Sequence, residues 1–265
     1  MTTTSLTAPE REFRTLEGCR IALQSAGRGR PLLYLHGAGG GGWHPFLSVL
    51  AERYHVIAPE HPGFGQSQTP EWLDNIHDVA FFYRQLLRDL DLGAVHVVGS
   101  SLGGWMALEI AVKDTRHIAS LSLVAPAGIH AKGVARPDTF LWSREQQLRH
   151  LYHDKAIGER ILALPQTPEQ EEADMKNRFM TARLAWQPRF YDPHLAKWLH
   201  QIDRPIQFLW GADDELIPVA YVEAFRGLLP QAEYTVIPNC GHLPQIEQAD
   251  TFVQHIDRFV AGVKS

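Results

Sequence analysis

The chain is poor in cysteine, has no long apolar run and carries no excess of positive charge. Its two cysteines, Cys19 and Cys240, are too few and too far apart for the disulfide framework that staples small secreted domains. Reduced thiols, and with them a cytoplasmic location, are the expectation. No stretch approaches the roughly 18 consecutive apolar residues of a membrane span. The opening segment Met1–Glu10 lacks the basic and apolar regions of a secretory signal and reads as a frayed tail. Lys and Arg number 25 against 30 Asp and Glu, a formal net charge of −5. No basic face of the kind that phosphate backbones require is visible, so neither nucleic acid nor membrane is an expected partner.

What remains is ordinary for a globular chain: 265 residues, 45% hydrophobic and 21% charged. Such a length suits one large domain with an insertion. Short apolar runs, PLLYLHG from Pro31, HVIAP from His55, AVHVVG from Ala94, IASLSLVA from Ile118, PIQFLWG from Pro205 and AEYTVIP from Ala232, read as buried strands. Arg20–Ser25 adds an edge strand. Apolar residues at three-to-four spacing predict helices over Asn75–Leu92, Ser101–Lys113 and Glu247–Val260, and a weaker one over Pro218–Leu229. Alternating strands and helices imply an α/β fold with a mainly parallel sheet covered on both faces. From about Gly128 to Ile202 the alternation stops. Proline-punctuated helical pieces with Phe140, Trp142, Trp186 and Trp198 take over, predicting a helical cap insertion over one end of the sheet whose aromatics pack on the core and together line an apolar cavity. The expected organisation is core 11–127, cap 128–202 and core 203–265.

The sharpest chemical signal is Gly99-Ser100-Ser101-Leu102-Gly103, which directly follows one predicted strand and opens a helix. A strand–turn–helix elbow with small neighbours projects the central Ser101 hydroxyl above the sheet. A serine hydroxyl needs a base and a group to orient that base. Of fourteen histidines, His242 stands out, because Asn239-Cys240-Gly241-His242 follows the last strand, where an open α/β sheet gathers ligands. The acid is expected after the preceding strand, in Gly211-Ala212-Asp213-Asp214-Glu215, which leaves three candidates. No His/Cys/Asp set shows zinc-like spacing, so no metal is expected.

Together these segments resemble the α/β-hydrolase superfamily from about Leu16 to the C-terminus. His36-Gly37-Ala38-Gly39 is similar to the family's oxyanion loop, and Glu60-His61-Pro62-Gly63-Phe64-Gly65-Gln66-Ser67 to its next turn. Glu60, usually Asp, and Ala249, often Pro, depart from the pattern outside the catalytic set. The resemblance implies Ser101 as nucleophile, His242 as base and Asp214 as acid, with Asp213 and Glu215 as competitors. Backbone N–H groups of Leu102 and Ala38, or Gly39 in place of Ala38, would hold the oxyanion, and His36 would be structural. It further implies hydrolysis, without a cofactor, of a small-molecule carboxylic ester or lactone with an apolar acyl or aryl group through an acyl-enzyme. Two alternatives stay open. One is carbon–carbon hydrolysis of ring-fission products, where the family's meta-cleavage members usually carry Asn at the position of Ser100. The other is a non-catalytic small-ligand receptor.

Overall fold

In the computed structural model, which describes residues 8–263, eight strands form one sheet. They are β1 (Glu10–Leu16), β2 (Cys19–Ala26), β3 (Arg30–Leu35), β4 (Tyr54–Pro59), β5 (Val95–Ser100), β6 (Ile118–Val124), β7 (Ile206–Gly211) and β8 (Glu233–Ile237). The spatial order is β1-β2-β4-β3-β5-β6-β7-β8, antiparallel through β1, β2 and β4 and parallel from there on. Period-two side-chain alternation sorts the strands' apolar residues into two cores. Leu33, Leu35, Val97, Leu121 and Leu123 face one layer, and Leu32, Tyr34, Val98, Val124 and Leu209 the other. The first layer is closed by α2 (Ile76–Leu90), α3 (Leu102–Lys113) and α8 (Tyr221–Leu228), the second by α1 (Pro45–Ala51) and α10 (Ala249–Gly262). Both faces are covered, which is why central strands read as continuous apolar runs.

Helix limits follow local chemistry. Asn75 accepts the N–H groups of His77 and Asp78, and Asp78 returns the bond, so a capping box starts α2 where its apolar stripe begins. Asp91 in left-handed geometry ends it.

Three expectations are corrected. The segment Arg20–Ser25 is not an edge: β1 pairs with β2 along its whole length and occupies that position. Strand β1, Glu-Arg-Glu-Phe-Arg-Thr-Leu, is mostly exposed and so carries no apolar signature. Its one sequence cue is the two-residue turn Glu17-Gly18, with both φ positive, at 50° and 70°. Glu10 thus belongs to β1 rather than to the expected frayed tail, and the rest of that expectation falls mainly on residues 1–7, which lie outside the described residues. Strand β8 is the opposite edge and half exposed, with only Ile237 buried, rather than a buried strand. The third concerns the aromatics. Trp186 and Trp198 are exposed rather than packed on the core, and Phe140 packs on Phe190 at 4.7 Å.

Between β6 and β7 the described residues hold helices α4 (Arg144–Leu151), α5 (Lys155–Ala163), α6 (Pro168–Ala185) and α7 (Leu195–Trp198), with short 3-10 turns and one isolated bridge, Gly128 to Tyr191. Buried Asn177, Met180, Thr181 and Leu184 form the inward stripe of α6.

Candidate active site

Four loops leave the C-terminal ends of the parallel strands β3, β5, β7 and β8, and the candidate residues sit on them or, for Leu102, at the start of the helix that follows. The loop after β5 is the most constrained. Ser101 has φ 54° and ψ −112°, a left-handed backbone that strains a side-chain-bearing residue. Its N–H donates to the Val124 carbonyl at 2.8 Å and its carbonyl accepts from Ala127 at 3.1 Å. The flanking glycines make room for the turn: a Cβ on Gly99 would lie 2.6 Å from the Gly103 carbonyl, and one on Gly103 would collide with the carbonyls of Leu35 and His36. This explains the Gly-x-Ser-x-Gly spacing: strand, helix and the end of β3 meet here without side chains between them.

Asp214 and His242 are paired. The Nδ1–H of His242 donates to Asp214 Oδ2 at 2.7 Å, with both side chains almost fully buried. The other Asp214 oxygen accepts the N–H groups of Leu216 and Ile217, each at 2.9 Å. One carboxylate therefore fixes its own turn and the imidazole together. The competing acids point elsewhere, Asp213 to His153 at 3.0 Å and Glu215 to Lys155 at 2.7 Å and to His150. Ser101 Oγ and His242 Nε2 share no hydrogen bond in this conformation. Gln245 at the start of α9 (Pro244–Glu247) ties the histidine loop to the end of β5: its Nε2 donates to Ser100 Oγ at 3.0 Å. The buried Ser100 oxygen is the acceptor of that bond.

The loop after β3 lies against the elbow: a Cβ on Gly37 would stand 3.4 Å from Ser101 Cβ. The α6 stripe braces it, since Asn177 Nδ2 donates to the Gly39 carbonyl at 3.1 Å and Thr181 Oγ1 to that of Ala38 at 3.4 Å. Among the described residues the Ala38 N–H has no partner, and the Leu102 N–H is an unpaired first-turn donor of α3. Positive helix-end charge therefore collects beside Ser101.

Sequence reasoning passed over Glu247. Its Oε2 accepts Gly241 N–H at 2.6 Å and His153 N–H at 3.1 Å, and Oε1 accepts Asp154 N–H at 2.6 Å. The His242 N–H donates to Leu151 at 2.8 Å. The α4–α5 turn thus holds the histidine loop from outside. The spacing of Glu247 five residues after His242 was visible, but not its partners, which are 93 and 94 residues away.

Neither cysteine is poised as a nucleophile. Burial pushes the Cys19 thiol up to about 11 and Cys240 up to about 12, the latter helped by nearby Glu247, and both are free and buried. Folding does gather one ligand-like group that sequence spacing hid, His77, Glu109 and Asp192, beside a cleft of about 340 Å³ that none of Ser101, Asp214 and His242 lines. Its cation position is filled by Lys113, whose Nζ lies 2.6 Å from Glu109 Oε2 and 3.1 Å from His77 Nδ1.

A serine elbow on a mostly parallel sheet, with a histidine–carboxylate pair on neighbouring strand ends, is a hydrolase-type arrangement. The chain belongs to the alpha/beta hydrolase family, whose model matches residues 32–255. It is 27% identical to an uncharacterized protein of Mycobacterium tuberculosis over 95% of this chain and 81% of that one. It is also 27% identical to 2-hydroxy-6-oxo-6-(2'-aminophenyl)hexa-2,4-dienoic acid hydrolase of Metapseudomonas resinovorans, over 91% and 87% of the two chains. Among solved structures, a membrane phospholipase A described as a bacterial virulence factor superposes with a TM-score of 0.81 at 24% identity, covering 97% of this chain and 87% of that one, a likeness of fold. Among the described residues, no helix is long and apolar enough to cross a membrane.

Proposed function

We propose that this hydrolase cleaves carboxylic esters or lactones with small to medium apolar acyl or aryl groups, through an acyl-enzyme on Ser101. The reading rests above all on the buried 2.7 Å bond between His242 and Asp214, two strand ends from an elbow that carries a strained serine. Asp214 fixes the Nδ1–H tautomer, so Nε2 of His242 is left as the base. A side-chain rotation of Ser101 brings Oγ to that nitrogen, a tightening common on substrate binding. The serine oxygen then attacks the carbonyl carbon, its proton passes to His242, and the N–H groups of Ala38 and Leu102 hold the oxyanion. His242 returns the proton to the departing alcohol. Water, deprotonated by the same nitrogen, then attacks the acyl carbon; the acyl–Oγ bond breaks, the acid leaves, and His242 returns its proton to Ser101 Oγ. The sequence of steps draws on no metal or organic cofactor. Residues 128–202 act as a cap over the carbonyl site.

A panel of p-nitrophenyl esters of increasing acyl length, with Ser101→Ala as the blank, tests this. A Ser101-dependent optimum at short or medium length is expected. The second reading, hydrolysis of a carbon–carbon bond in a ring-fission product, is favoured by the Metapseudomonas resinovorans relative, whose name specifies such a dienoic acid. Turnover of a 2-hydroxy-6-oxo-dienoic acid with negligible ester rates selects that reading over the first.

A further inference from the structure

Beneath the loop after β3 lies a fully buried set of polar side chains that no catalytic step uses: His36, His61 and Tyr83, each at most 2% exposed. The two imidazoles stack with centroids 3.7 Å apart. Their partners determine every proton. The His61 backbone N–H can only donate, and it meets His36 Nε2 at 3.1 Å, so that nitrogen is an acceptor. Neutral His36 therefore carries its proton on Nδ1 and donates it to the Gly37 carbonyl at 2.7 Å. His61 Nε2 faces the His36 carbonyl at 2.9 Å, an acceptor, so it bears the proton of that ring. His61 Nδ1 is then an acceptor, and the Tyr83 hydroxyl donates to it at 2.5 Å. Burial lowers both imidazoles, His36 to about 4, so both stay neutral at neutral pH.

The relay ends on one peptide plane. The Gly37 carbonyl takes two donors, His36 Nδ1–H and the Gly40 N–H at 3.1 Å, which use both its lone pairs. In a trans peptide the N–H points opposite the carbonyl. Fixing the Gly37 carbonyl toward the His36 ring thus turns the Ala38 N–H away from it, unpartnered, on the loop whose Gly37 touches Ser101.

We propose that His36, His61 and Tyr83 are positioning residues of the oxyanion hole: a tautomer-locked relay that sets the direction of the Ala38 N–H. The inference rests on the hydrolase reading above. The relay touches no substrate, and its effect falls on the charge that develops in the transition state, hence on kcat rather than KM.

Two measurements test it together. Long-range ¹H–¹⁵N spectra of imidazole-labelled protein should show His36 protonated at Nδ1 and His61 at Nε2; the opposite tautomer for either ring overturns the relay. Tyr83→Phe, which removes one hydroxyl from the far end and preserves ring packing, should lower kcat about tenfold, and His36→Gln about a hundredfold or more, the range expected for a misplaced oxyanion donor. KM should move less than about threefold. Affinity for an alkyl boronic acid, whose tetrahedral adduct on Ser101 presents an oxyanion-like oxygen, should weaken by the same factors as kcat. Unchanged kcat and boronate affinity in Tyr83→Phe, with only a lower Tm, would reduce the relay to packing and overturn the proposal. That failure leaves Ser101-dependent turnover of the wild type intact. Absence of any Ser101-dependent turnover instead overturns the hydrolase reading and the relay's role with it.

Discussion

If Ser101, His242 and Asp214 act on one proton path, as proposed, single substitutions should not add. Ser101→Ala and His242→Ala should each lower kcat by about four to six orders of magnitude, with Tm within a few degrees of wild type, and the double variant should be hardly slower than either. Additive losses would show that the two residues do not work as a unit. Asp214→Asn removes the acceptor that fixes the His242 tautomer and should cost about 10⁴ in kcat, whereas Asp213→Asn, which loses a half-exposed pair with His153, should stay within a few-fold. The reverse ranking in steady-state kinetics would assign the acid to Asp213. Ser101 was legible in the sequence because its geometry is local: the glycines that let strand and helix meet lie within two positions of it. Spacing alone left three adjacent carboxylates open and only the resemblance pointed to Asp214; the turn places Asp214 against His242 and the other two against α4, α5 and their connecting turn.

At the scale of elements, the α4–α5 turn and α6 hold separate halves of the site, α6 the loop after β3 and the turn the histidine loop. Glu247 is the acceptor for three N–H groups that converge from both sides of that junction. In Glu247→Gln an amide N–H must face one of these donors. Urea denaturation should show a loss of about 2 kcal/mol, the scale of a charged hydrogen bond, accompanied by a lower kcat. Stability equal to wild type would mean the three bonds are replaced by water. Gly103→Ala tests the close approach of α3 to β3. Its Cβ has no space against two backbone carbonyls, so a loss of about 3 kcal/mol or failure to accumulate as folded protein is expected. An unchanged denaturation midpoint would refute the packing argument. Helices α2, α3, α8 and α10 were visible from their apolar stripes, whereas the seven-residue α1 was not, being too short to show a period. Strand β1 was not, because an exposed edge strand needs no apolar face and its stability comes from pairing with β2.

For the molecule as a whole, buried neutral histidines set an acid limit on stability. His36 and His96 are lowered from 6.5 to about 4, and His61 lies well below 6.5, in each case chiefly by desolvation. Between those values the unfolded chain binds protons that the folded one refuses. Their contribution is therefore complete above about pH 6.5, falls as pH drops from 6.5 toward 4, and levels off below. At pH 5 the loss is about 2 kcal/mol for each of His36 and His96. Urea unfolding at pH 7.5 and pH 5.0 should show the decrease, and equal stabilities at the two would show that these rings are not kept neutral by burial.

The sequence by itself determined the strand and helix alternation, the two-faced burial of the sheet and the position of the serine elbow. Each is written in residues a few positions apart, through side-chain periodicity or through glycines that a tight turn requires. Only the tertiary structure decided which edge β1 closes, that Glu247 ties two distant segments together, and which nitrogen of His36 carries its proton. Those outcomes depend on donors and acceptors brought together from tens to a hundred residues apart. In a dry interior the polar groups that meet there must satisfy one another, and no spacing along the chain records the match.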